Sequence, residues 1–345
     1  MKLNKLGASE LRVSEICLGS MTWGGQNSER DAHLQLDFAL DHGINFIDTA
    51  EMYPVPPAAS TYARTETYLG SWLAQHKREQ LVLASKVAGP GRRDWVRGGR
   101  TELTRENITG ALEDSLARLK TDYLDLYQIH WPGRNVPMFG ETRFDPAKEA
   151  PAVPILEQIE TMAGLIQAGK IRHYGLSNET TWGLCEFLRL ARAHGLPPPL
   201  TIQNAYSLVN RMFDADLAEA SFREKVPLLA YSPLAMGLLT GKFSGGAKPP
   251  RARLALYADF GERYKRERAR AAAEEYCQLA QSRGLSLAQM ALAFVRTRWF
   301  VASTIVGATD LAQLKQNIDS VKLDLDAETL AGIDAIQRRY PSPSA

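Results

Sequence analysis

The stretch TRENITGALEDSLARLKTDYLDLYQIH, residues 104–130, joins a helix pattern directly to a strand pattern. Ile108, Leu112, Leu116 and Leu119 recur at helical spacing and form one apolar stripe. After a short polar turn, the run Tyr123–His130 is dominated by apolar and aromatic residues, as is typical of a buried strand. The stretch therefore predicts a helix followed by a strand of a covered sheet.

The same alternation of strand and helix patterns recurs along the whole chain. A capping box, Ser28-x-x-Asp31, opens one of the helices, and Gly43 ends it. About eight such repeats in one chain predict an α/β fold, a single (β/α)8 TIM barrel that forms one domain over residues 1–345. The strand-like runs are Ile16–Gly19, Ile44–Asp48, Leu81–Lys86, Tyr123–His130, Ile171–Leu176, Leu200–Asn204, Val226–Tyr231 and Val301–Val306.

Three long connections follow strands and precede helices: Ala88–Leu103, Trp131–Pro154 and Phe243–Gly261. In a barrel such loops meet at the C-terminal face, where active sites lie, so they are expected to cover a substrate or a cofactor. Tolerated insertion is the alternative. At the other end, Lys2–Val13 is expected to form a β-hairpin that plugs the barrel.

Composition excludes several classes of protein. The chain of 345 residues has 41 Lys and Arg against 39 Asp and Glu, a net charge of +2, so no general field attracts nucleic acid or a membrane. Three cysteines without a Cys-x-x-Cys pair argue against a disulfide scaffold and for a reducing compartment. With no signal-peptide pattern and no apolar run of membrane length, a cytoplasmic location is expected.

Four polar side chains end or follow adjacent strands: Asp48, Tyr53, Lys86 and His130. Each has an ordinary explanation, as a turn cap, a half-buried aromatic, a solvated lysine or a core histidine. Together they converge at the mouth of the predicted barrel. There Asp48 would keep Lys86 charged, and Lys86 would lower the pKa of Tyr53. A tyrosine so placed can donate a proton to a carbonyl oxygen that His130 holds, but no attacking side chain is evident.

Motifs over essentially the full length resemble those of the aldo-keto reductase superfamily. The run Glu51-Met-Tyr-Pro-Val-Pro-Pro57 is similar to the bacterial Tas-like branch, whose members are described as NADP(H) oxidoreductases. The matches, in order, are Leu18-Gly-Ser-Met-Thr-Trp23, Asp48-Thr-Ala-x-x-Tyr53, Ser85-Lys86, Asp122-Tyr-Leu-Asp-Leu-Tyr-Gln-Ile-His130, Gly169-Lys-Ile-Arg172, Gly175-Leu-Ser-Asn178, Tyr231-Ser-Pro-Leu-x-x-Gly-Leu-Leu-Thr-Gly-Lys242 and Thr304-Ile-Val-Gly-Ala308.

The resemblance implies a catalytic tetrad of Asp48, Tyr53, Lys86 and His130, with Tyr53 as proton donor and a nicotinamide hydride as the missing attacker. It implies that Tyr231 stacks on the nicotinamide, and that a helix N-terminus suits the adenosine phosphate. It assigns Ser177, Asn178 and Gln203 to the carboxamide. It assigns Leu234, Gly237, Leu239 and Lys242 to the pyrophosphate, and Gly307, Thr309, Gln313 and Asn317 to the adenosine end. Ser232 is a further expected cofactor-binding residue.

The sequence departs from the family pattern in places. Pro54 follows the catalytic tyrosine where Gly is common, and Gln316 stands where many relatives have Glu. The arginine that often meets a 2′-phosphate is missing, which leaves Lys242 and Lys315 as nearby cations. NADP(H) is therefore the expected cofactor, with NAD(H) not excluded. Gln313 has an alternative role as partner of Asp310 in a capping box.

Trp23 and Trp131 are expected to line an apolar substrate pocket. The arginines of the first long loop, Arg92, Arg93, Arg97 and Arg100, are candidates to admit an acidic substrate tail. No Gly-x-Gly-x-x-Gly, P-loop or His-x-x-x-His pattern is present, so neither a Rossmann site nor a metal site is predicted. The sequence gives no oligomeric state.

The predicted function is NADPH-dependent reduction of aldehydes or ketones, with a small carbonyl compound as the only predicted partner. Two alternatives remain open at the level of sequence. One is a cofactor-binding redox sensor with little turnover. The other is an aldolase that uses Lys86 as a Schiff-base nucleophile.

Overall fold

The computed structural model describes residues 1–91, 94–257 and 259–345. Eight parallel strands close into a barrel in the order β10-β3-β4-β5-β6-β7-β8-β9, and two further strands form an antiparallel hairpin. The strands are β1 Leu3–Lys5, β2 Arg12–Ser14, β3 Ile16–Gly19, β4 Phe46–Asp48, β5 Val82–Val87, β6 Leu124–Ile129, β7 Ile171–Ser177, β8 Ile202–Ala205, β9 Leu228–Tyr231 and β10 Val301–Val306.

Helices cover the outside of the barrel and alternate with its strands. In the described residues they are α1 Glu29–Asp41, α2 Arg64–Leu73, α3 Arg105–Leu119, α4 Ile155–Gln167, α5 Thr181–Ala193, α6 Leu217–Glu224, α7 Arg253–Leu256, α8 Glu267–Ser282, α9 Leu287–Arg296, α10 Leu311–Asp319 and α11 Ala327–Arg339. The predicted (β/α)8 barrel is thus confirmed. Each predicted strand is present, with ends shifted by two residues at most.

Local sequence signals account for several helix boundaries. Ser28 and Asp31 form the predicted capping box at the start of α1, and Thr104 accepts the backbone N–H of Asn107 at the start of α3. The stripe of α3 is buried as predicted, from Ile108 to Leu119. These helices bury one face against the strands, which supplies most of their stability.

The inside of the barrel is apolar at one end and polar at the other. Side chains alternate across a strand, so residues two apart share a face. On β5, Val82 and Ala84 belong to the apolar interior cluster, and Lys86 continues the same face toward the C-terminal mouth. On β4, Phe46 lies in this cluster, and Asp48 follows it at the mouth. The strands themselves therefore concentrate polar groups at one end.

The N-terminal hairpin closes the opposite end of the barrel, as predicted. Leu6 and Val13 are fully buried and pack in the interior cluster with Phe46 and Val82, the first residues of their strands. Asn4 donates to the backbone oxygen of Ala302 in β10 at 2.8 Å. The end of the barrel away from the long loops is thus sealed by apolar side chains.

Candidate active site

The four predicted strand-end residues meet at the mouth of the barrel. Lys86 Nζ lies 2.6 Å from Asp48 Oδ2 and 3.4 Å from the Tyr53 hydroxyl oxygen. The Tyr53 ring stands edge-on to the His130 ring, with centroids 5.8 Å apart. Asp48 ends β4, Lys86 lies in β5 and His130 follows β6, so neighbouring strands fix three of the four groups. The structure therefore brings the whole predicted tetrad together.

Lys86 is a charged group whose side chain is fully buried. Its side chain is 0% exposed, and that of Asp48 is 3% exposed. Burial by itself lowers the pKa of Lys86, but Asp48 and Tyr53 outweigh it, so the pKa is raised. The ammonium also donates to the backbone oxygen of Thr49 at 2.8 Å. Lys86 therefore stays protonated and is a poor nucleophile, which argues against the aldolase alternative.

The expected direction of the Tyr53 pKa is corrected by the structure. Burial raises the pKa of Tyr53 above its ordinary value, and Lys86 lowers it by less than burial raises it. The expected lowering took account only of the charge of Lys86. Desolvation of the buried phenol disfavours the phenolate and has the larger effect on the pKa. Tyr53 is consequently a phenol across the neutral pH range. It can donate a proton, and Lys86 stands beside the oxygen where negative charge would develop.

Asp48 is held by two glutamine side chains as well as by Lys86. Gln203 Nε2 donates to Asp48 Oδ1 at 2.8 Å, and Gln128 Nε2 donates to the same oxygen at 3.3 Å. Gln203 was predicted to bind the carboxamide of the nicotinamide. At least one of its amide hydrogens is instead used in the hydrogen bond to Asp48. Gln128 was missed by the sequence reasoning. Its position two residues before His130, on the interior face of β6, is the signal that could have found it.

A buried carboxylate that was not predicted, Glu51, ties the tyrosine loop to the end of β5. Its backbone N–H donates to Lys86 O at 3.3 Å, and its carboxylate accepts the N–H of Ala88 at 2.6 Å. Arg97 forms an ion pair with the same carboxylate. This bonding fixes the segment between Asp48 and Tyr53 from both sides.

The predicted nicotinamide residues form a connected group next to His130. Tyr231 donates its hydroxyl to Asn178 Oδ1 at 2.7 Å, and Asn178 Nδ2 donates to the backbone oxygen of His130 at 2.8 Å. Ser177 donates to the backbone oxygen of Gln203 at 2.8 Å. The structure therefore places Ser177, Asn178 and Tyr231 beside the tetrad, as expected for one continuous site.

The loop after β9 makes a tight turn around a cationic side chain. Ser232 and Gly237 have positive φ angles of 53° and 94°. A Cβ atom added at Gly237 would lie 2.8 Å from Lys242 Nζ, so glycine allows the close approach. Leu239 is fully buried and Leu234 is partly buried against the same core, and the N–H of Leu239 donates to the backbone oxygen of Leu234 at 3.2 Å within the turn.

Arg253, in the first turn of α7, is a cationic neighbour of Lys242 that was not predicted. Burial and the charge of Arg253 lower the pKa of Lys242, while Asp310 opposes the effect. Among the described residues, the hydrogen bonds of Arg253 are long, at 3.7 Å to Met21 Sδ and 3.5 Å to Val55 O. Its Nε is buried without a partner among the described residues. The segment after β9 therefore carries two cations, Lys242 and Arg253, whose charges are poorly compensated by the described residues.

At the start of α10, two residues predicted to bind the adenosine end of the cofactor, Thr309 and Gln313, form hydrogen bonds with each other. Asp310 caps α10 by accepting the backbone N–H of Gln313 at 2.8 Å. The Gln313 side chain accepts from the N–H and hydroxyl of Thr309 and donates to the Asp310 carboxylate at 2.7 Å, so the helix is capped but the full capping box is not formed. Asn317 is buried and donates to the backbone oxygen of Gly307 at 3.3 Å. Lys315 pairs with Asp319 on its own helix.

The two predicted pocket tryptophans have different surroundings. Trp131 lies beside His130, with ring centroids 4.9 Å apart, and donates to Pro90 O at 2.8 Å. Trp23 is fully buried in the core between strands and helices and donates to Gln35 of α1 at 3.1 Å. The placement of Trp23 in the pocket was therefore wrong, because its ring turns away from the mouth into the packed layer.

The arginines of the first long loop do not form an anion site in the described residues. Arg97 is occupied by Glu51, and Arg100 is 70% exposed and lies 3.8 Å from Glu106. Arg92 and Arg93 fall outside the described residues. The expectation that this loop admits an acidic substrate tail is not supported by the positions of Arg97 and Arg100.

A closed barrel with a phenol, an ammonium, a carboxylate and an imidazole at its mouth fits one family of enzymes. The family model for the aldo/keto reductase family matches residues 15–338, and the chain belongs to that family. Its members are oxidoreductases that act on carbonyl compounds and generally use nicotinamide cofactors. The predicted resemblance is thereby confirmed.

Three relatives illustrate the similarity. The chain is 51% identical to "Protein tas" of Escherichia coli (strain K12) over the full length of both chains, which supports the Tas-like branch. It is 38% identical to the "Aldo-keto reductase" of Babesia bovis over 69% of this chain and 88% of that protein. It is 33% identical to the "Uncharacterized oxidoreductase YrpG" of Bacillus subtilis over 99% of this chain and 97% of that protein.

Two features are absent from the ranges that the structure describes. Within residues 1–91, 94–257 and 259–345, no helix combines the length and the apolar character needed to cross a bilayer. The same residues contain no group of three or more His, Cys, Asp or Glu side chains placed to hold a metal ion.

Proposed function

We propose that this protein reduces aldehydes or ketones to alcohols with NADPH, and that Tyr53 donates the proton. The observation that carries the proposal is the buried contact among Asp48, Lys86 and Tyr53, whose distances are 2.6 Å and 3.4 Å. A phenol that is protonated at neutral pH and lies beside a fixed ammonium is suited to protonate an oxygen as it becomes an alkoxide.

A bound nicotinamide would supply the hydride for the carbonyl carbon. Tyr53 transfers its proton to the carbonyl oxygen, and Lys86 stabilises the phenolate that remains. Asp48 holds Lys86 in place and in its charged form. His130, edge-on to Tyr53, is placed to orient the carbonyl oxygen as a hydrogen-bond partner. Tyr231 and Asn178 are proposed to hold the nicotinamide against this group.

The residues around the turn after β9 fit the phosphates of the cofactor. Lys242 and Arg253 repel one another, and a phosphate between them would supply the missing negative charge. Such a group also suits the unpartnered Nε of Arg253. The adenosine segment lacks the arginine that the family pattern often has there. Arg253 offers a cation in its place, from the segment after β9.

Replacing Arg253 with Met is expected to raise the Kd for NADPH by about tenfold or more, the usual scale for a charge-assisted contact. Without cofactor, the melting temperature should not fall, because the change removes a partly buried cation that is poorly compensated. Cofactor fluorescence titration measures the first quantity, and calorimetry measures the second.

The exposed Arg251, two residues earlier, provides the matched control. Arg251→Met should leave both quantities near the wild-type values. If Arg253→Met weakens NADPH but not NADH, Arg253 meets the 2′-phosphate, and an equal effect on both indicates the pyrophosphate. An unchanged Kd for both cofactors contradicts the assignment.

The pH dependence of reduction follows from the raised pKa values of Tyr53 and Lys86. Both groups are protonated below their pKa, and protonation is the active state of each. The single-turnover rate is therefore expected to be flat from about pH 6 to about pH 9 and to fall only above about pH 10. Stopped-flow NADPH oxidation measures this profile. A fall centred near neutral pH would count against Tyr53 as the donor.

A panel of aldehydes and ketones, followed by absorbance at 340 nm with NADPH and with NADH, tests the proposed activity directly. Turnover with NADPH supports the reductase. Tight NADPH binding with no turnover of any carbonyl compound would support the sensor alternative. The four tetrad residues in contact distance favour the reductase, because a sensor does not need a positioned proton donor.

A further inference from the structure

Arg263 joins the two long loops at the mouth of the barrel. It lies in the turn Glu262–Tyr264, directly after the Phe243–Gly261 loop. Its Cβ would be 3.3 Å from a Cβ added at Gly140, so the Trp131–Pro154 loop packs against its stem. Its guanidinium carbon is 4.8 Å from the centroid of the Tyr264 ring. The side chain is therefore held between loops that cover the candidate site.

Arg263 lies near Tyr231, one of the predicted cofactor residues. Burial raises the pKa of the Tyr231 hydroxyl, and the positive charge of Arg263 opposes that shift. Tyr231 donates to Asn178, which donates to the backbone oxygen of His130, and the His130 ring stands beside Tyr53. Arg263 is therefore a cation at the edge of the candidate site.

The lack of a carboxylate partner distinguishes Arg263 from most of the other partly buried arginines. Burying a guanidinium is costly unless an anion compensates it. In the described residues, no Asp or Glu oxygen lies within 4.0 Å of the Arg263 guanidinium, which instead lies over the face of the Tyr264 ring. The largely buried arginines that do pair with carboxylates are Arg78, Arg97, Arg118, Arg134, Arg211 and Arg296.

An aromatic wall leads from the tetrad to the same loop. Trp131 lies beside His130, and Phe139 stands edge-on to Trp131 with centroids 6.3 Å apart. Gly140, the neighbour of Phe139, contacts Arg263. A ligand that extends from His130 along these rings would contact Trp131 and Phe139 first and Arg263 at its far end.

We propose that Arg263 binds a carboxylate of the substrate, so that the preferred substrates are aldehydes or ketones that carry a carboxylate beyond an apolar or aromatic spacer. This inference rests on the reductase function proposed above. A planar guanidinium matches a carboxylate in geometry as well as in charge. Arg253 is assigned to the phosphates of the cofactor, and Arg263 is assigned to the carboxylate of the substrate.

The test compares 2-, 3- and 4-carboxybenzaldehyde with their neutral methyl esters in NADPH-dependent reduction. For at least one position, wild-type kcat/KM for the acid should exceed that for the ester by about tenfold or more. In Arg263→Gln the ratio should approach one. Because the readout is a ratio, any general effect of the change on turnover through Tyr231 cancels.

Arg100→Gln is the matched control, since Arg100 is exposed and lies on the loop first expected to hold an anion. It should keep the wild-type ratio. A wild-type ratio near or below one at every position, or an unchanged ratio in Arg263→Gln, overturns the inference. So does a rise in the Kd for NADPH as large as the fall in the ratio, because Arg263 would then serve the cofactor.

Failure of the reductase proposal gives a different result, in which neither acids nor esters are reduced. Calorimetric titration with 4-carboxybenzaldehyde needs no turnover and still tests Arg263. Arg263→Gln should weaken binding of the acid by about tenfold or more, and binding of its ester much less. Equal binding of the acid by both proteins overturns the inference whether or not the protein is a reductase.

Discussion

Tyr53→Phe is expected to lower the single-turnover rate of carbonyl reduction by about 10²-fold or more, the usual scale for a positioned acid. The change removes the hydroxyl that lies 3.4 Å from Lys86 Nζ. It keeps the ring, which packs under the Lys86 ammonium at 4.9 Å and edge-on to His130. The Kd for NADPH should therefore change little, and the loss should fall on the chemical step.

Tyr174→Phe is the matched control for the loss of a buried hydroxyl. Tyr174 lies in β7, where its hydroxyl donates to Pro197 O at 3.0 Å, away from the tetrad. This variant should lose about 1 kcal/mol of unfolding free energy and keep its reduction rate. Stopped-flow measurement of NADPH oxidation separates chemistry from product release. An unchanged rate in Tyr53→Phe would remove Tyr53 from the mechanism.

Asp48→Asn is expected to lower the free energy of unfolding by about 3–5 kcal/mol and to abolish most reduction. Lys86 would then be a fully buried cation without its counterion, because Asp48 is the carboxylate of its ion pair. Burial would lower the pKa of Lys86 once Asp48 no longer opposes it. Urea denaturation monitored by fluorescence measures the loss of stability.

The pH dependence of this loss has a definite sign. In the variant, the folded state disfavours a charged Lys86, while the unfolded chain keeps a lysine pKa of about 10.4. The unfolded state therefore binds the extra proton, and the deficit shrinks as pH rises toward that value. A deficit that grows with pH would contradict a buried, uncompensated ammonium as its cause.

Lys86→Met, made alone and together with Asp48→Asn, completes a double-mutant cycle. The double variant should recover part of the stability lost in Asp48→Asn, because it no longer buries an unpaired charge. It should stay inactive, since Tyr53 lacks the ammonium that stabilises its phenolate. Additive losses of stability would show that the ion pair contributes no coupling.

Much of the fold was accessible from sequence because it depends on local periodicity. The strand runs Ile16–Gly19 and Val301–Val306 were predicted with their observed ends. The capping box of α1 and the stripe of α3 depend on residues a few positions apart, which sequence displays directly. The convergence of the tetrad also followed, since the C-terminal ends of parallel strands meet at one face.

The errors and omissions concern the direction and environment of side chains. Trp23 was expected in the pocket, but its ring turns into the core toward Gln35. The anion-binding arginine was expected on the first long loop, where Arg97 is instead bound to Glu51. Arg253 was not predicted, because its place beside Lys242 depends on the path of a long loop that has no repeating pattern.

The sequence by itself determined the barrel, its polar mouth and the identity of the four groups that meet there, because strand alternation and strand order carry that information. Only the tertiary structure decided which charges are compensated. The net pKa shift of Tyr53 depends on how burial compares with a single nearby ammonium. The availability of Arg253 and Arg263 depends on which carboxylates lie within reach in space. Both are properties of distance and desolvation, which spacing along a chain does not specify.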